Sequence, residues 1–425
     1  MNAVTDLISL SQLSAEDELV LETVKARQNF MLERVTSWAA VNTGSLNADG
    51  LNTLYPMIVK ALSEDLDAEV EALPTEPIEE INNKGAKEFF QSGPVIRARA
   101  RLSAPLRVVL TGHYDTVFPA GTFTDITDIG DGKLNGPGLA DMKGGITVMI
   151  DALRAFEAGP LKDKIGYDII LTPDEETGNF ASAPFLTAAA KEAHIGLTFE
   201  PAMDCDSLAG ARKGSGIWDI VFRGRASHAG RAPEAGRSAI SAAADMAIRV
   251  EELNGKYEGV TFNVGSIDGG NAVNIVPDLA ILRMGARAPT PEAAAWAGEA
   301  VNSALEAVLK RDGITAHKHG GFYRPPKPRN AAQDRLISNV KETGKALGLE
   351  LNFKDTGGVC EGNNVFAAGT PNVDTLGVRG GRIHSADEFM VVESLSERAG
   401  LAALLLNRIA DGRIDAPAIK KLMEQ

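Results

Sequence analysis

Apolar residues recur with a helical period in several stretches of the chain. In GGITVMIDALRAF, the positions Ile146, Met149, Ile150, Leu153 and Phe156 fall on one face, which predicts a helix with a buried side. RSAISAAADMAIRVEEL, PEAAAWAGEAVNSALEAVLKR, QDRLISNVKETGKALG and ESLSERAGLAALLLNRIAD read the same way. Near the start, Ser14 followed by Asp17 has the spacing of a capping box, and a helical run with few breakers extends through Trp38. LNTLYPMIVKAL predicts a second helix, interrupted by Pro56 near its beginning. Between these segments lie short apolar runs: PVIRARARL, LRVVLTGHYDT, GYDIILTPDEE and IGLTFEPA. Their length and β-branched content predict strands.

The order of elements divides the chain. Up to about residue 212, strands alternate with helices, which implies a largely parallel sheet covered by helices. From Lys213 the order becomes strand IWDIVFRGRASH, helix, strands VTFNVGSIDGG and NIVPDLAILRMGAR, helix, and strand ITAHKHGG. That is one β-α-β-β-α-β unit of the ferredoxin-like kind. YRPPKPRN, with three prolines, ends it as a linker. The expected architecture is therefore α/β: one domain from residues 1–212 and 329–425, and an inserted α+β domain from 213–328.

Composition narrows the class. A chain of 425 residues exceeds what one core usually supports. The formal net charge of -14 argues against nucleic acid or an anionic membrane as partner. Two cysteines are too few for a disulfide framework and fit a reducing compartment. MNAVTDLISLSQLSAEDELV has no basic segment followed by a continuous apolar one, so it does not read as a signal peptide. No apolar run reaches the roughly 18 residues of a membrane span. A cytoplasmic location is the expectation.

The chemistry-bearing residues sit just past the strands. His113 lies just after the buried strand RVVL, with Asp115 two residues on and so, in an extended segment, pointing the same way. Asp115 is placed to accept from the far ring nitrogen of His113 or to flank it. Glu175 and Glu176 follow another strand, and Glu200 a third. Asp141 lies in the glycine-rich NGPGLADMKGG that enters a helix. Each has a plainer explanation, as a turn acid or a solvated carboxylate. Together, however, they belong at the carboxyl edge of a parallel sheet, where such folds build their ligand crevice. One histidine and several carboxylates suit zinc or another divalent first-row metal. There are more of them than one ion needs. Of the adjacent Glu175 and Glu176, one can ligate and the other can reach a bound water, but spacing does not say which.

The motifs GHYDTV, GPGLADMKGG, PDEETGN, FEPA, GRASHAG and HSADEF occur in that order. In them the chain resembles the di-zinc aminoacylase/carboxypeptidase family, which includes acetylornithine deacetylase and succinyl-diaminopimelate desuccinylase. VNTGSLNADG is similar to the opening of its bacterial glutamate carboxypeptidase branch. The resemblance covers nearly the whole chain. It implies two Zn2+ per subunit, with Co2+ or Mn2+ as substitutes, which make a bridging water nucleophilic at neutral pH. His113, Asp141 and Glu200 would hold one ion and Asp141, Glu176 and His384 the other, with Asp141 between them. Glu175 would be the general base, supported by Asp115 beside His113. His228 would stabilise the oxyanion across a homodimer formed by the inserted lid domain. Asn274 and Arg287, with Arg324 as a further candidate, would bind substrate, and Gly358 would line the pocket in TGGVCEGNNV. In that loop Cys360-Glu361 stands where Ser or Thr followed by Asp is common. The implied activity releases a C-terminal amino acid with a free carboxylate from a small N-acyl amino acid or peptide. An N-acyl-amino-acid deacylase or a dipeptidase is the alternative within this chemistry. A metal-free binding protein of the same fold is the alternative outside it.

Overall fold

A mixed six-stranded sheet forms the centre of the larger part of the molecule. In a computed structural model describing residues 9–203 and 206–424, its strands run in the order Glu69–Leu73, Val95–Ala100, Ile165–Thr172, Leu106–His113, Ile195–Thr198, Asn372–Val373. The first two pairings are antiparallel and the other three parallel. Every residue of Ile165–Thr172 and Ile195–Thr198 is buried, as befits strands covered on both faces. Val108, Leu110, Ile169 and Leu171 face the main core with the helices Lys143–Ala158 and Ser394–Ala410. Val109 and Ile170 face the other side, against Leu186 of Ala183–Glu192 and Val365 of Glu361–Ala367.

The segment between contains a second sheet with its own core. Its antiparallel strands run in the order Thr261–Gly269, Leu279–Ala288, Gly214–Arg223, Thr315–Arg324. Trp218, Ile220, Phe222, Leu282 and Met284 point to one face, where the helices Ala239–Glu251 and Pro291–Val308 cover them. The chain enters and leaves through adjacent segments: Arg212 and Lys327 exchange two backbone hydrogen bonds of 2.9 Å.

Two local expectations differ from what is observed. The run through Trp38 is two helices, Ala15–Lys25 and Gln28–Ala39, broken at Ala26-Arg27. Beside the break, Arg27 Nε and Arg34 Nη1 reach the buried Asp151 at 2.5 and 3.1 Å, and both guanidiniums also meet Asp65. A long-range ion network of this kind leaves no mark on local periodicity. The strand Glu69–Leu73 and the hairpin Ile78–Ile81/Lys87–Phe90 are additional elements. Their charged, half-exposed sequences lack a continuous apolar run. The start of the N-terminal segment and Cys205 lie outside the described residues. Among the described residues no helix is long and apolar enough to cross a membrane.

Lys143–Ala158 packs behind the parallel strands, and its first turn explains Gly144-Gly145. A Cβ on Gly144 would lie 2.3 Å from the Leu139 carbonyl oxygen, and one on Gly145 1.9 Å from that of Phe199. Only a bare backbone lets the helix approach the strand end so closely. Lys143 is fully buried, and its Nζ donates to the Val41 carbonyl at 2.8 Å, tying the helix start to the N-terminal segment. Because the atom facing Gly145 is backbone and cannot rotate away, Gly145→Ala should lower stability by about 1–3 kcal/mol, despite alanine's better helix propensity. Urea unfolding measures this, and an unchanged or higher midpoint would contradict the close contact.

Candidate metal centre

The parallel strands end at one edge of the sheet, and side chains from several chain segments meet there. His113 is the last residue of Leu106–His113. Glu175 and Glu176 follow Ile165–Thr172, and Glu200 follows Ile195–Thr198. Asp141 comes from the turn before Lys143–Ala158. His384, at positive φ, comes from the loop between the short strands Gly380–Gly381 and Phe389–Val391.

Asp141 stands in the middle. Its Oδ1 is 3.1 Å from His113 Nε2, and its Oδ2 is 3.3 Å from His384 Nε2. His384 Nε2 is also 3.2 Å from Glu176 Oε2, and His113 Nε2 is 3.7 Å from Glu200 Oε1. One donor atom each from His113, Asp141 and Glu176 lies within 4.8 Å of the others, and the same holds for His113, Glu175 and Glu200.

Buried groups behind these atoms fix them. The Asp115 carbonyl accepts from His113 Nδ1 at 3.1 Å, leaving Nε2 to face Asp141. The Asp115 carboxylate is 3.4 Å from the same nitrogen. It also accepts from the Ser45 hydroxyl (2.7 Å) and from the backbone N–H groups of Glu175 (3.1 Å) and Glu176 (3.2 Å). Asp115 therefore orients both the histidine and the acidic turn. Glu388 Oε1 accepts from the N–H groups of Ala140 (3.0 Å) and Asp141 (3.1 Å), which sets the glycine-rich turn. In HSADEF the glutamate thus positions Asp141.

A cleft of about 830 Å³ opens over this group, lined by Asp141, Glu175, Glu176, Glu200 and His384 and by Arg287, Arg324 and Gly358. Arg324 is buried and engaged: Nη1 donates to Glu175 Oε1, and Nη2 donates to the Glu175 carbonyl (2.6 Å) and to Asn179 Oδ1 (2.7 Å). Arg287 Nη1 donates to the Ser215 hydroxyl. His228 and Asn274 do not line the cleft. They are exposed on two loops of the inserted segment, joined where Ala229 N–H donates to the Asn274 carbonyl at 2.9 Å.

Sequence reasoning missed Arg212, which also lines the cleft. Its Nε donates to the buried Asp374 at 2.9 Å, and its terminal nitrogens have no hydrogen-bond partner among the described residues. Nothing in GARKGSG marks it, because Asp374 is far away in sequence. Cys360 is buried and caps the helix Glu361–Ala367, its Sγ accepting from Gly362 N–H at 3.3 Å. Glu361 turns inward and accepts from the Thr172 hydroxyl at 3.1 Å, and burial raises its pKa to about 7.

The electrostatics favour cations. Burial, with help from Asp141, raises Glu176 to about 8 and Glu200 well above the usual range. Hydrogen bonds to Asp141 and Glu176 raise His384 to about 11. Burial pushes His113 down, but hydrogen bonds to Asp115 and Asp141 outweigh it and hold it well above its ordinary value. These carboxylates crowd one buried spot with Arg324 as the fixed cation beside Glu175. Imidazole nitrogens and carboxylate oxygens there fit a divalent metal of the zinc type.

A sheet with such a centre at its carboxyl edge, roofed by a second domain, is that of a metallopeptidase or amidohydrolase. The chain belongs to peptidase family M20/M25/M40, whose model matches residues 109–408. It is 26% identical over 407 residues to carboxypeptidase G2 of Pseudomonas sp. (strain RS-16), covering 93% of each chain. It is 26% identical over 353 residues to a succinyl-diaminopimelate desuccinylase of Dechloromonas aromatica (strain RCB), covering 78% of this chain and 89% of that one. The crystal structure of a Staphylococcus aureus tripeptidase shares the fold with a TM-score of 0.69 at 22% identity, over 90% of this chain and 99% of that one.

Raised pKa values mean that the metal-free centre holds protons at pH 7, which ligation must displace. Zinc added to chelated protein at pH 7 should therefore release about two or more protons, and affinity should fall as the pH drops from 8 to 6. Calorimetry in buffers of different ionisation enthalpy reads the proton count. Binding without proton release would refute these protonation states.

Proposed function

We propose that the protein hydrolyses an amide bond and releases a C-terminal amino acid with a free carboxylate, in the manner of a glutamate carboxypeptidase. The observation that carries this reading is Asp141, whose two oxygens face His113 on one side and His384 on the other. That is the placement of a ligand shared by two cations. We assign His113, Asp141 and Glu200 to one and Asp141, Glu176 and His384 to the other. Two Zn2+, or Co2+ or Mn2+ in their place, would supply the Lewis acidity that makes water nucleophilic at neutral pH.

Glu175 takes the proton of the attacking water on a carboxylate oxygen and passes it to the leaving nitrogen. Arg324, donating to Glu175 through Nη1, holds that carboxylate in place and is a positioning residue. This leaves Arg287 and Arg212 for the substrate carboxylate. Arg212 suits the task, since Asp374 fixes its Nε and leaves both terminal nitrogens for paired hydrogen bonds. Gly358 lines the wall without a side chain.

His228 and Asn274 complete the site from a second copy of the chain, His228 as donor to the developing oxyanion. Exposed apolar residues on the lid support a homodimer there: Val273 and Ile275 flank Asn274, and Ile240 and Ile248 lie on the helix Ala239–Glu251. The likeness to carboxypeptidase G2 over 93% of both chains supports the carboxypeptidase reading. An N-acyl-amino-acid deacylase or a dipeptidase would use the same groups. A metal-free binding protein would have no need of the complete ligand set together with Glu175.

Chelation with EDTA should abolish hydrolysis of an N-acyl-glutamate, and zinc or cobalt should restore it. Activity indifferent to chelation would refute the metal mechanism. Glu175→Ala should keep its metals and lose about 10²–10⁴-fold in turnover. Mixed with His228→Ala, under conditions where subunit exchange is shown independently, it should regain activity in hybrid dimers. No recovery would remove His228 from the partner's site.

A further inference from the structure

The lid sheet turns one face towards the larger domain, and that face has a graded surface. Residues two apart on a strand share a face, so the register defines successive rungs. The rung Arg287–Ser215–Arg324 stands at the metal cleft. The next is Gly285–Ile217–Gly321, and the one after is Arg283–Asp219–His319. Beyond it, Val221 and Ile281 pack against Ile81 of the hairpin Ile78–Ile81/Lys87–Phe90.

The middle rung is a trough. A Cβ on Gly321 would meet nothing within 4 Å, and one on Gly285 would have the Gly216 carbonyl oxygen, at 3.5 Å, as its sole neighbour. Both positions are open floor. Ile217, between them, is 39% exposed, and Phe180, 48% exposed, stands near it with its ring 5.0 Å from that of Tyr323.

A second cavity of about 850 Å³ lies beyond, lined by the hairpin residues Ile81 to Asn83 and by Asp219, Arg283 and His319. Thr177 and Ile217 line this cavity and the metal cleft alike, so they form the sill between the two. The hairpin is fastened to the lid: Arg283 Nη2 donates to the Ile81 carbonyl (2.9 Å) and to Asn83 Oδ1 (3.0 Å). It lies outside the residues matched by the family model.

We propose that this glycine-floored trough is an extended substrate subsite, receiving the acyl side of a short peptide that crosses the Ile217 sill and ends in the hairpin-walled cavity. The proposal rests on the amide-hydrolase reading above and names its substrate class. From the Arg287 rung to the Arg283 rung is four residues along a strand, or about 13 Å, the span of roughly four extended peptide residues. The apolar sill suits a hydrophobic side chain near the scissile bond. The polar far wall, with Asn82, Asn83, Asp219 and Arg283, suits peptide N–H and C=O groups.

The test fills the trough. Gly321→Val and Gly285→Val add side chains where the floor has room, at positions without positive φ. Three substrates share one leaving amino acid and carry an acetyl, a dipeptidyl or a tripeptidyl group. Wild-type kcat/KM should rise along the series. Each variant should lower the ratio of tripeptidyl to acetyl kcat/KM about tenfold, mainly through KM, as expected when uniform binding is lost. The same substitutions in the Glu175→Ala protein should weaken calorimetric binding of the tripeptidyl substrate about tenfold more than that of the acetyl one. Equal effects on long and short substrates, or no effect on either, would overturn the subsite. If the wild type turns over none of the three, the hydrolase reading fails. The binding arm still decides the trough, since length-dependent binding that a valine abolishes supports it and length-independent binding refutes it.

Discussion

Everything at the carboxyl edge of the large sheet answers to one constraint: several carboxylates share a buried spot of a few ångströms. Asp141, Glu175, Glu176 and Glu200 lie there with His113 and His384, and Asp115 and Glu361 stand close behind. Like charges in a poorly solvated place repel strongly and shift towards their protonated forms. The raised values of Glu176, Glu200 and Glu361 show that response. Cations relieve it, and the scaffold is arranged to keep the donors converged. Asp115 spends its carboxylate on the turn that carries Glu175 and Glu176, and Glu388 spends one oxygen on the turn that carries Asp141.

A second buried carboxylate governs how the two domains meet. Asp374 accepts from Arg212 Nε at 2.9 Å and from Lys327 Nζ at 2.7 Å. Arg212 lies just before the first strand of the lid sheet and Lys327 just after its last, and their backbones also pair. Both crossings are thus pinned to one fully buried residue of the larger domain. The same contact aims Arg212 into the cleft. Cys360 adds its Sγ at 3.6 Å from the same Asp374 oxygen. The Cys360-Glu361 pair therefore faces inward, the thiol towards this cluster and the acid towards Thr172 behind the candidate metal centre.

Much of this was legible in the sequence where a signal is local. The helix Lys143–Ala158 was legible because Ile146, Met149, Ile150, Leu153 and Phe156 keep a 3.6-residue period. The single buried side expected from them was too narrow, since Thr147, Val148, Asp151, Ala152 and Ala155 are buried as well. The strands ending at His113 and Thr172 were visible because strands buried on both sides are continuous apolar runs. The glycine-rich stretch was legible as the entry to a helix, and in the first turn of Lys143–Ala158 the Leu139 and Phe199 carbonyls leave no room for a Cβ on Gly144 and Gly145.

What the sequence determined by itself was the periodic helices, the apolar strands and the chemical types gathered at strand ends, since periodicity, turn residues and motif order are properties of short segments. Tertiary structure alone decided which of those groups face one another. Arg324 meets Glu175, Arg212 meets Asp374, and Arg27 and Arg34 meet Asp151, each across more than a hundred residues. Such pairings depend on how helices and sheets pack, and packing is a collective outcome that no window of sequence carries. The hairpin on the lid escaped for the same reason. Its charged strands are ordered by contacts with Val221, Ile281 and Arg283, far along the chain.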